Sequence, residues 1–264
     1  MKKAVLIIGS EGYVGGTIFN TAYQQGVKTI GLTSRTFDFW EQEINWPTVL
    51  NQPSQAVIIA ANLERCVAAY RPEDASKKNA TLEELLAQFR NLLQRFRTHR
   101  IIFLSTDAVF SGKAGPYTED RIVDPITPYA KTKAAMESVV GEISQACSVR
   151  MSIIYGPGAG KPDRRRERFL AQLRRDGFIR GATNVFRSPL GVQNVATSVV
   201  RLALSDRPIH NIMHLTAPRI SYIDFLRIKL VPEESKHIIP WKDPSYTFHD
   251  TSLLTTTDWQ NMVR

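Results

Sequence analysis

The sequence predicts an α/β fold built on a doubly wound parallel sheet, with a small region towards the C-terminal end. Continuous apolar runs rich in β-forming residues, such as Ala4–Ile8, are typical of strands buried on both faces. These runs alternate with segments of helical periodicity, an order that favours parallel strands with helices on both faces. At about 150 residues per domain, the 264 residues allow one large domain with a smaller appendage.

Each element follows from one of these two patterns. The helix after the first strand carries Val14, Ile18 and Ala22 on one face. Further strands are predicted at Val27–Leu32, Ala56–Ala61, Ile101–Leu104 and Val149–Ile154, and further helices at Thr81–Arg97 and Pro128–Ala146. Beyond Tyr155 the alternation gives way to a Gly/Pro cluster and then to a basic segment, residues 161–187.

Composition and charge exclude several classes of protein. The chain has 34 Lys and Arg against 25 Asp and Glu, a net charge of +9, and the basic segment holds nine basic and three acidic residues. Cys66, Cys147 and five histidines show no metal-ligand spacing, so we expect no disulfide scaffold, no metal site and a cytoplasmic protein. No apolar run reaches the ~18 residues of a membrane span, and Ala4–Ile8 is too short for a signal peptide.

A glycine motif follows the first strand directly. Gly9, Gly12 and Gly15 have the spacing G-x-x-G-x-x-G, and Tyr13 and Val14 open the next helix. Glycines at such a turn let the backbone approach a pyrophosphate, and the helix N-terminus supplies N–H groups. The alternative is a glycine-rich turn without a ligand, but the position between strand and helix favours a Rossmann-type nucleotide site.

The end of the second strand predicts which dinucleotide binds. An acid there is typical of NAD enzymes, whereas an arginine accommodates the 2′-phosphate of NADP. The chain has Ser34 and Arg35 and no acid, so we expect NADP(H) in preference to NAD(H). A solvated loop arginine is the alternative interpretation. Asp38 is assigned to the adenine end of the cofactor.

Two further features indicate acid–base chemistry. Tyr129 and Lys133 lie four residues apart near the start of a helix, and therefore on one face. A neighbouring ammonium favours the phenolate and makes tyrosine a usable acid–base group, although the same spacing also occurs in surface pairs. Ser105 and Thr106 place hydroxyls at the carboxyl end of the strand Ile101–Leu104, where ligands bind in open α/β sheets.

Together these motifs resemble the extended short-chain dehydrogenase/reductases, and within them the dTDP-4-dehydrorhamnose reductases and their epimerase and dehydratase relatives. The resemblance covers most of the chain, residues 3 to 256. Besides the glycine motif, it is carried by the segments Ala60–Ala61, Asn79–Thr81, Leu104–Gly112, Pro125–Lys133, Arg150–Gly156, Ser188–Pro189 and His214–Thr216.

This resemblance implies a role for each matching position. Thr106 would hydrogen-bond the substrate carbonyl, with Ser105 as the alternative. Tyr129 would deliver the proton, and Lys133 would favour the Tyr129 phenolate and hold the nicotinamide ribose. The cofactor groove is assigned to the glycine motif with Ala60, Ala61 and Ile154, and the substrate side to Asn79, Asp107, Ala108 and Arg187.

The resemblance also implies how the chain is divided. Residues 1–155 would form the NAD(P)-binding domain, onto which residues 190–216 pack back. Residues 156–186 and 217–264 would form a small substrate-binding region. The predicted helices Thr81–Arg97 and Pro128–Ala146 would form a four-helix contact between two copies in a homodimer.

The expected function is an NADP-dependent reductase of a carbonyl on a small anionic metabolite, with a nucleotide-linked 4-keto sugar as the favoured substrate. The basic segment would clamp the substrate diphosphate, or else form a solvated helix face. Ala108 replaces a tyrosine of the family, and an acid pair is missing from Cys66–Tyr70, so the particular substrate stays open. An epimerase that retains NAD(P) and a non-catalytic NADP-binding regulatory subunit stay open as well. Neither nucleic acid nor a membrane is an expected partner.

Overall fold

The computed structural model describes residues 4–40, 56–67, 80–246 and 249–256 of the chain. Its strands are β1 (Ala4–Ile8), β2 (Lys28–Leu32), β3 (Ala56–Ile59), β4 (Arg100–Leu104), β5 (Ala146–Met151), β6 (Ile154–Tyr155), β7 (Ile179–Ala182), β8 (Val185–Arg187), β9 (Leu190–Gly191), β10 (Ile212–Leu215), β11 (Ile220–Ser221), β12 (Ile238–Trp241) and β13 (His249–Asp250). The largest sheet has the order β10-β5-β4-β3-β1-β2, and each neighbouring pair is parallel. The expected parallel α/β sheet is confirmed.

Helices cover both faces of this sheet. They are α1 (Tyr13–Gln24), α2 (Leu82–Arg95), α3 (Pro128–Val140), α4 (Arg164–Asp176), α5 (Val192–Leu204), α6 (Tyr222–Lys229) and α7 (Pro232–Ser235). One face packs against α1 and α5 through side chains such as Ile18 and Val199, and the other against α2 and α3 through Phe89 and Val140. Burial of these two apolar layers, worth about 25 cal/mol per Å² of apolar area, holds the helices on the sheet.

Local capping signals set where the flanking helices begin. The Thr81 hydroxyl accepts a hydrogen bond from the Glu84 amide, and the Glu84 carboxylate accepts one from the Thr81 amide. The Thr127 hydroxyl accepts from the Ala130 amide, and Pro128 takes the first position of α3. This start places the phenol predicted for the site in the first turn of α3.

The helix predicted at Pro128–Ala146 is too long. It ends at Val140, where Gly141 caps it. Ala146 already belongs to β5, where it pairs with Ile101 of β4. The sequence pattern missed this boundary because the apolar residues that end the helix and those that begin the strand follow each other closely.

Two strand boundaries also differ from the prediction. The strand expected at Val149–Ile154 begins at Ala146 and ends at Met151, and Ile154 lies in the separate short strand β6. The strand expected at Ala56–Ala61 ends at Ile59. Both predictions ran too far because apolar residues continue past the strands and line the carboxyl edge of the sheet.

Several segments beyond β6 build a smaller region with its own core, whereas α5 and β10 belong with the main sheet. Its buried cluster contains Phe169 of α4, Ile179 of β7, Phe225 of α6 and Ile238 of β12. Here β7 pairs with β12, and β8 pairs with β11 and β13. The later strand β10 pairs instead with β5 of the main sheet.

The described helices include none with the length and apolar character that crossing a membrane requires.

Candidate active site

The glycine turn lies between β1 and α1 at the carboxyl edge of the sheet. Gly9 has a φ of +91°, and a Cβ at this position would lie 2.7 Å from the Ala61 nitrogen. A Cβ on Gly15 would collide with the Gly9 carbonyl. Gly12 precedes α1 and offers no side chain to cap its first turn. The first N–H groups of α1 thus follow a turn with glycine at Gly9 and Gly12, and no side chain caps them; this arrangement fits the phosphates of a dinucleotide.

The remaining residues predicted for the cofactor pack around this turn. Val14, Ala60 and Ile154 are partly buried against the apolar cluster beneath it. The Tyr13 hydroxyl donates a hydrogen bond to the Gly156 carbonyl. Burial, followed by the nearby Asp163 carboxylate, raises the pKa of Tyr13 to about 12. Tyr13 is therefore a neutral hydrogen-bonding group that joins α1 to the chain beyond β6.

The corner predicted for the 2′-phosphate carries an unexpected acid. Ser34 and Arg35 are exposed in the turn after β2. The Arg35 guanidinium forms an ion pair with Glu11 of the glycine turn, and these side chains are 78% and 51% exposed. Asp38 accepts a hydrogen bond of 2.7 Å from the Trp40 amide. Arg35 thus lies beside the glycine turn, but Glu11 competes for it.

A cavity of about 620 Å³ brings several of the predicted residues to one space. Its walls come from the glycine turn, the end of β4, the first turn of α3 and the basic segment. The residues that matter for the chemistry are Gly12, Tyr13, Thr106, Tyr129, Ile154, Lys161, Arg164, Arg165 and Arg168. Part of the glycine turn, a hydroxyl, a phenol and four cations therefore share the cavity.

The two adjacent hydroxyls after β4 have different surroundings. The Ser105 hydroxyl donates a hydrogen bond of 2.5 Å to Glu137 Oε1, and Glu137 forms a buried ion pair of 2.8 Å with Arg150. The Thr106 hydroxyl accepts from the Ala108 amide at 3.2 Å, donates to Asp107 Oδ1 at 3.3 Å and is half-buried at the cavity wall. This geometry favours Thr106 as the hydroxyl that meets a substrate, because its bond to a carboxylate is much longer than the 2.5 Å bond that holds the Ser105 hydroxyl.

Tyr129 and Lys133 occupy successive turns of α3 but different environments. Tyr129 is half-buried and lines the cavity. Lys133 is only 4% exposed. Its ammonium donates a hydrogen bond of 3.2 Å to the Leu104 carbonyl and lies 3.2 Å from Glu64 Oε2. Glu64 was missed by the sequence interpretation, although an acid just after a buried strand marks the edge of the sheet where ligands bind.

The residues predicted for the substrate side form a buried polar cluster. The Asp107 carboxylate accepts hydrogen bonds from Ser152 at 2.6 Å and Thr251 at 2.9 Å. The Arg187 guanidinium contacts Thr251, lies 3.9 Å from Asp107 Oδ2 and lies 3.0 Å from the His249 ring. Burial, followed by the charge of Arg187, lowers the pKa of His249. Asp107 lines the cavity, and this cluster holds Arg187 next to it.

Ala108 and Asn79 are the other residues predicted for the substrate side. Ala108 is half-buried directly after Thr106 and Asp107, but it does not line the cavity. Asn79 lies outside the described residues.

Asp163 anchors the basic segment to the cavity. Its carboxylate accepts hydrogen bonds from the Arg165 and Arg166 amides, at 3.1 and 3.2 Å, and thereby caps α4. It also accepts from the Gly156 amide and pairs with Lys229, both at 2.8 Å. Burial alone would raise the pKa of Asp163, but the bonds from Lys229 and these amides together hold that pKa below its ordinary value.

The arginines in the first two turns of α4 form two groups. The Arg166 guanidinium lies outside the cavity and forms an ion pair of 2.7 Å with Glu234. Arg164, Arg165 and Arg168 line the cavity, and in the described part of the chain none of them forms an ion pair. Lys161, just before α4, donates a hydrogen bond to the Glu11 carbonyl. The described residues contain no group of His, Cys, Asp and Glu that could hold a metal ion.

Comparison with known proteins gives one family match over most of the chain. The family described as the RmlD substrate binding domain matches residues 1–235. Methionine adenosyltransferase 2 subunit beta of Mus musculus is 29% identical over 166 residues, which are 58% of this chain and 48% of that protein. The chain thus spans about half the length of the curated relatives it matches first.

Solved structures share the fold over nearly the whole chain. The dTDP-4-dehydrorhamnose reductase from Yersinia enterocolitica has a TM-score of 0.72 at 17% identity and covers 97% of this chain and 92% of its own. The dTDP-4-dehydrorhamnose reductase from Bacillus anthracis, in complex with NADP, has a TM-score of 0.72 at 16% identity, with 99% and 92% covered. Other neighbours are a dehydratase and an epimerase in complex with NAD.

Proposed function

The chain belongs to the RmlD substrate-binding domain family of extended short-chain dehydrogenase/reductases, and on that premise we propose that it is an NADP-dependent reductase of a nucleotide-linked keto sugar. The family supports a nucleotide cofactor and carbonyl chemistry. The preference for NADP, the catalytic residues and the substrate are parts of the proposal.

One observation carries it: Thr106 and Tyr129 face the same cavity as the glycine turn and a wall of cations. A reductase of this kind needs the cofactor phosphates held at one end and a proton donor near the substrate carbonyl. It also needs positive charge for the anionic part of the substrate. In the described structure these groups share one space of about 620 Å³.

In the proposed reaction, residues of this chain would bind and orient the substrate and protonate its carbonyl oxygen. Thr106 would donate a hydrogen bond to the substrate carbonyl, and Tyr129 would transfer its phenolic proton to the same oxygen as negative charge develops there. Lys133, one turn behind Tyr129, would stabilise the resulting phenolate. A bound reduced nicotinamide cofactor supplies the hydride. The glycine turn with Ala60, Ala61 and Ile154 would hold that cofactor.

The cofactor preference rests on the turn after β2. Ser34 and Arg35 would bind the 2′-phosphate, because a guanidinium fork suits phosphate oxygens. An NAD enzyme commonly has an acid here, whereas the acid of this corner, Glu11, comes from the glycine turn.

The substrate class rests on three arginines of α4 that form no ion pair with any described residue. Arg164, Arg165 and Arg168 face the cavity from the first turns of α4. Three guanidinium groups at the mouth of a cleft would attract a diphosphate more strongly than a neutral metabolite.

The test is stoichiometric NADPH oxidation with nucleotide-linked 4-keto sugars and with simple ketones. We expect oxidation only with the nucleotide-linked sugars. Loss of at least two orders of magnitude in kcat is expected for Tyr129→Phe, since general acid catalysis contributes about 10²–10⁴-fold. Unchanged turnover in Tyr129→Phe would contradict the assignment. Product formation without net oxidation would indicate an epimerase instead.

A second candidate function is an NADP-binding regulatory subunit without turnover. Two observations favour it. The chain is 29% identical to methionine adenosyltransferase 2 subunit beta over 166 residues. The Lys133 ammonium is also already occupied by an ion pair with Glu64 and a hydrogen bond to the Leu104 carbonyl. A regulatory subunit would bind NADPH and oxidise none of it with any substrate. Binding by fluorescence titration, run beside the turnover assay, separates the two functions.

A further inference from the structure

Glu64 and Lys133 form a buried ion pair behind the cavity wall. Glu64 lies in the short turn Leu63–Cys66 after β3 and is 1% exposed, and Lys133 is 4% exposed. The Nζ–Oε2 distance is 3.2 Å. Tyr129, which precedes Lys133 by one turn of α3, faces the cavity. The pair therefore lies one helical turn from the phenol proposed to move the proton, on the same face of α3.

The ammonium is fully surrounded by groups that fix its position. It donates to the Leu104 carbonyl and lies 4.6 Å from the centre of the Phe103 ring. Glu64 Oε2 is within ion-pair distance but makes no hydrogen bond of good geometry in the described part of the chain. The carboxylate thus acts on Lys133 through its charge more than through a directed bond.

Each charge makes burial of the other tolerable. A single buried ion without a partner costs several kcal/mol, so Lys133 and Glu64 depend on each other. A carboxylate this close also cancels most of the field that the ammonium exerts on its neighbours. Tyr129 therefore experiences a compensated lysine, unlike a phenol beside an isolated ammonium.

Other charged groups near Tyr129 and Lys133 belong to different pairs or to the cavity. Glu137, one turn further along α3, pairs with Arg150 of β5. The charged and titratable groups that face the cavity with Tyr129 are Tyr13, Asp107, Lys161, Asp163, Arg164, Arg165 and Arg168. Arg90 of α2, the helix that packs against α3, pairs at the surface with Glu142, which lies just beyond the end of α3. In the described chain, Glu64 is thus the acid in contact with Lys133.

We propose that Glu64 is a positioning residue that sets how strongly Lys133 acidifies Tyr129. The proposal rests on the assignment of Tyr129 and Lys133 under the proposed function. With Glu64 ionised, the pair is nearly neutral and Tyr129 stays a phenol, the form that donates a proton in carbonyl reduction. Without that negative charge, the ammonium would favour the phenolate, and Tyr129 would lose its proton at lower pH.

The direct test is the pH titration of Tyr129 itself, followed by NMR with an isotope label at tyrosine Cζ and assigned with Tyr129→Phe. Glu64→Gln keeps the size of the side chain and removes its charge. We expect the titration midpoint of Tyr129 to fall by about one pH unit. Glu64→Asp keeps the charge and should keep the midpoint closer to that of the wild type. An unchanged or higher midpoint in Glu64→Gln would overturn the proposal, as would equal shifts in the two variants.

A second variant keeps the proposal testable when Glu64→Gln does not fold. The double variant Lys133→Met with Glu64→Gln removes both charges and so leaves no lone buried ion. Because the pair in the wild type is nearly neutral, the midpoint of Tyr129 in the double variant should stay close to the wild-type value. A midpoint about one pH unit or more higher in the double variant would show that Glu64 does not compensate Lys133 and would overturn the proposal.

This experiment does not depend on turnover. A protein that never oxidises NADPH would refute the proposed reductase, while the titration would still report whether Glu64 controls Tyr129. In an active protein, the alkaline limb of the kcat profile should move to lower pH in Glu64→Gln, because the proton donor is lost earlier. A structural role alone would lower stability and leave that limb in place.

Discussion

If Arg35 binds the 2′-phosphate as proposed, Glu11 must compete with the cofactor for it, and this competition gives the sharpest test of the proposed NADP preference. The two side chains form an ion pair at the surface, 78% and 51% exposed. Binding of a 2′-phosphate to Arg35 requires the guanidinium to leave Glu11, and the carboxylate also repels the phosphate. Glu11→Gln should therefore strengthen NADPH binding, although the residue lies in the glycine turn and its removal would ordinarily be expected to weaken binding.

The size of the effect follows from the exposure of the pair. Exposed ion pairs contribute about 0.2–1 kcal/mol, which corresponds to a gain of about 1.5- to 5-fold in NADPH affinity. Arg35→Ala removes a hydrogen bond between charged groups, worth about 1.5–3 kcal/mol, and should weaken NADPH binding about 10- to 150-fold. Neither change should alter NADH binding by more than about twofold, since NADH has no 2′-phosphate.

The assay is fluorescence titration of NADPH and NADH at low and high salt. The gain in Glu11→Gln should shrink at high salt because exposed charges are screened. Glu233→Gln, which removes an exposed ion-paired acid from α7, is the matched control and should leave both affinities unchanged. Weaker NADPH binding in Glu11→Gln, or an equal effect on NADH, would refute the assignment of Arg35 to the 2′-phosphate.

Three further predictions test the structure around the site. Gly15→Ala should abolish binding of both dinucleotides, because its Cβ would collide with the Gly9 carbonyl. Tight binding of either dinucleotide by this variant, measured by titration, would contradict the assignment of the glycine turn to the cofactor. Asp163→Ala should lower the free energy of unfolding in urea by about 3–5 kcal/mol, because the buried Lys229 ammonium loses its carboxylate and α4 its cap. The pKa of Asp163 lies below its ordinary value in the folded protein. The contribution of Asp163 to the free energy of unfolding is therefore complete above about pH 4 and is lost as the pH falls through the folded-state pKa. Burial raises the pKa of the Cys147 thiol, so in a Cys66→Ser background a thiol reagent at about pH 8 should react only after unfolding.

The fold and the outline of the site could be predicted because they depend on local patterns. A buried run followed by glycines predicts a strand, a turn and a helix wherever the rest of the chain lies. Hydroxyls after Leu104 and a phenol at the start of a helix reach the same edge of the sheet because the strands are parallel. The structure brings Thr106 and Tyr129 to one cavity with Gly12 and Tyr13 in this way.

The sequence prediction assigns the substrate carbonyl to Thr106 with Ser105 as the alternative, but the physical difference between the two hydroxyls could not be predicted. Both residues line the cavity, and they differ because Glu137 accepts a short hydrogen bond from the Ser105 hydroxyl. Glu137 belongs to α3 and has no sequence signal of its own. Glu64 and Glu11 were missed for a related reason: their positions next to strands indicate the edge of the sheet, but their partners Lys133 and Arg35 lie on other elements.

The net charge of the basic segment overstates what a ligand in the cavity would meet. Counted by sequence, the segment is one cationic patch, but Arg166 pairs with Glu234 and Arg175 with Asp176, so neither presents a free charge. Two acids line the cavity in the described part of the chain: Asp163 is compensated by Lys229, and Asp107 lies 3.9 Å from Arg187. Because the charges cancel within each of these pairs, the described residues leave the cavity with the positive charges of Lys161 and of three arginines of α4. A nucleotide-linked diphosphate carries fewer negative charges than these four cations can neutralise. The confinement of the cations to one cavity supports the proposed small anionic metabolite over a polyanion such as nucleic acid, which would need a continuous basic surface.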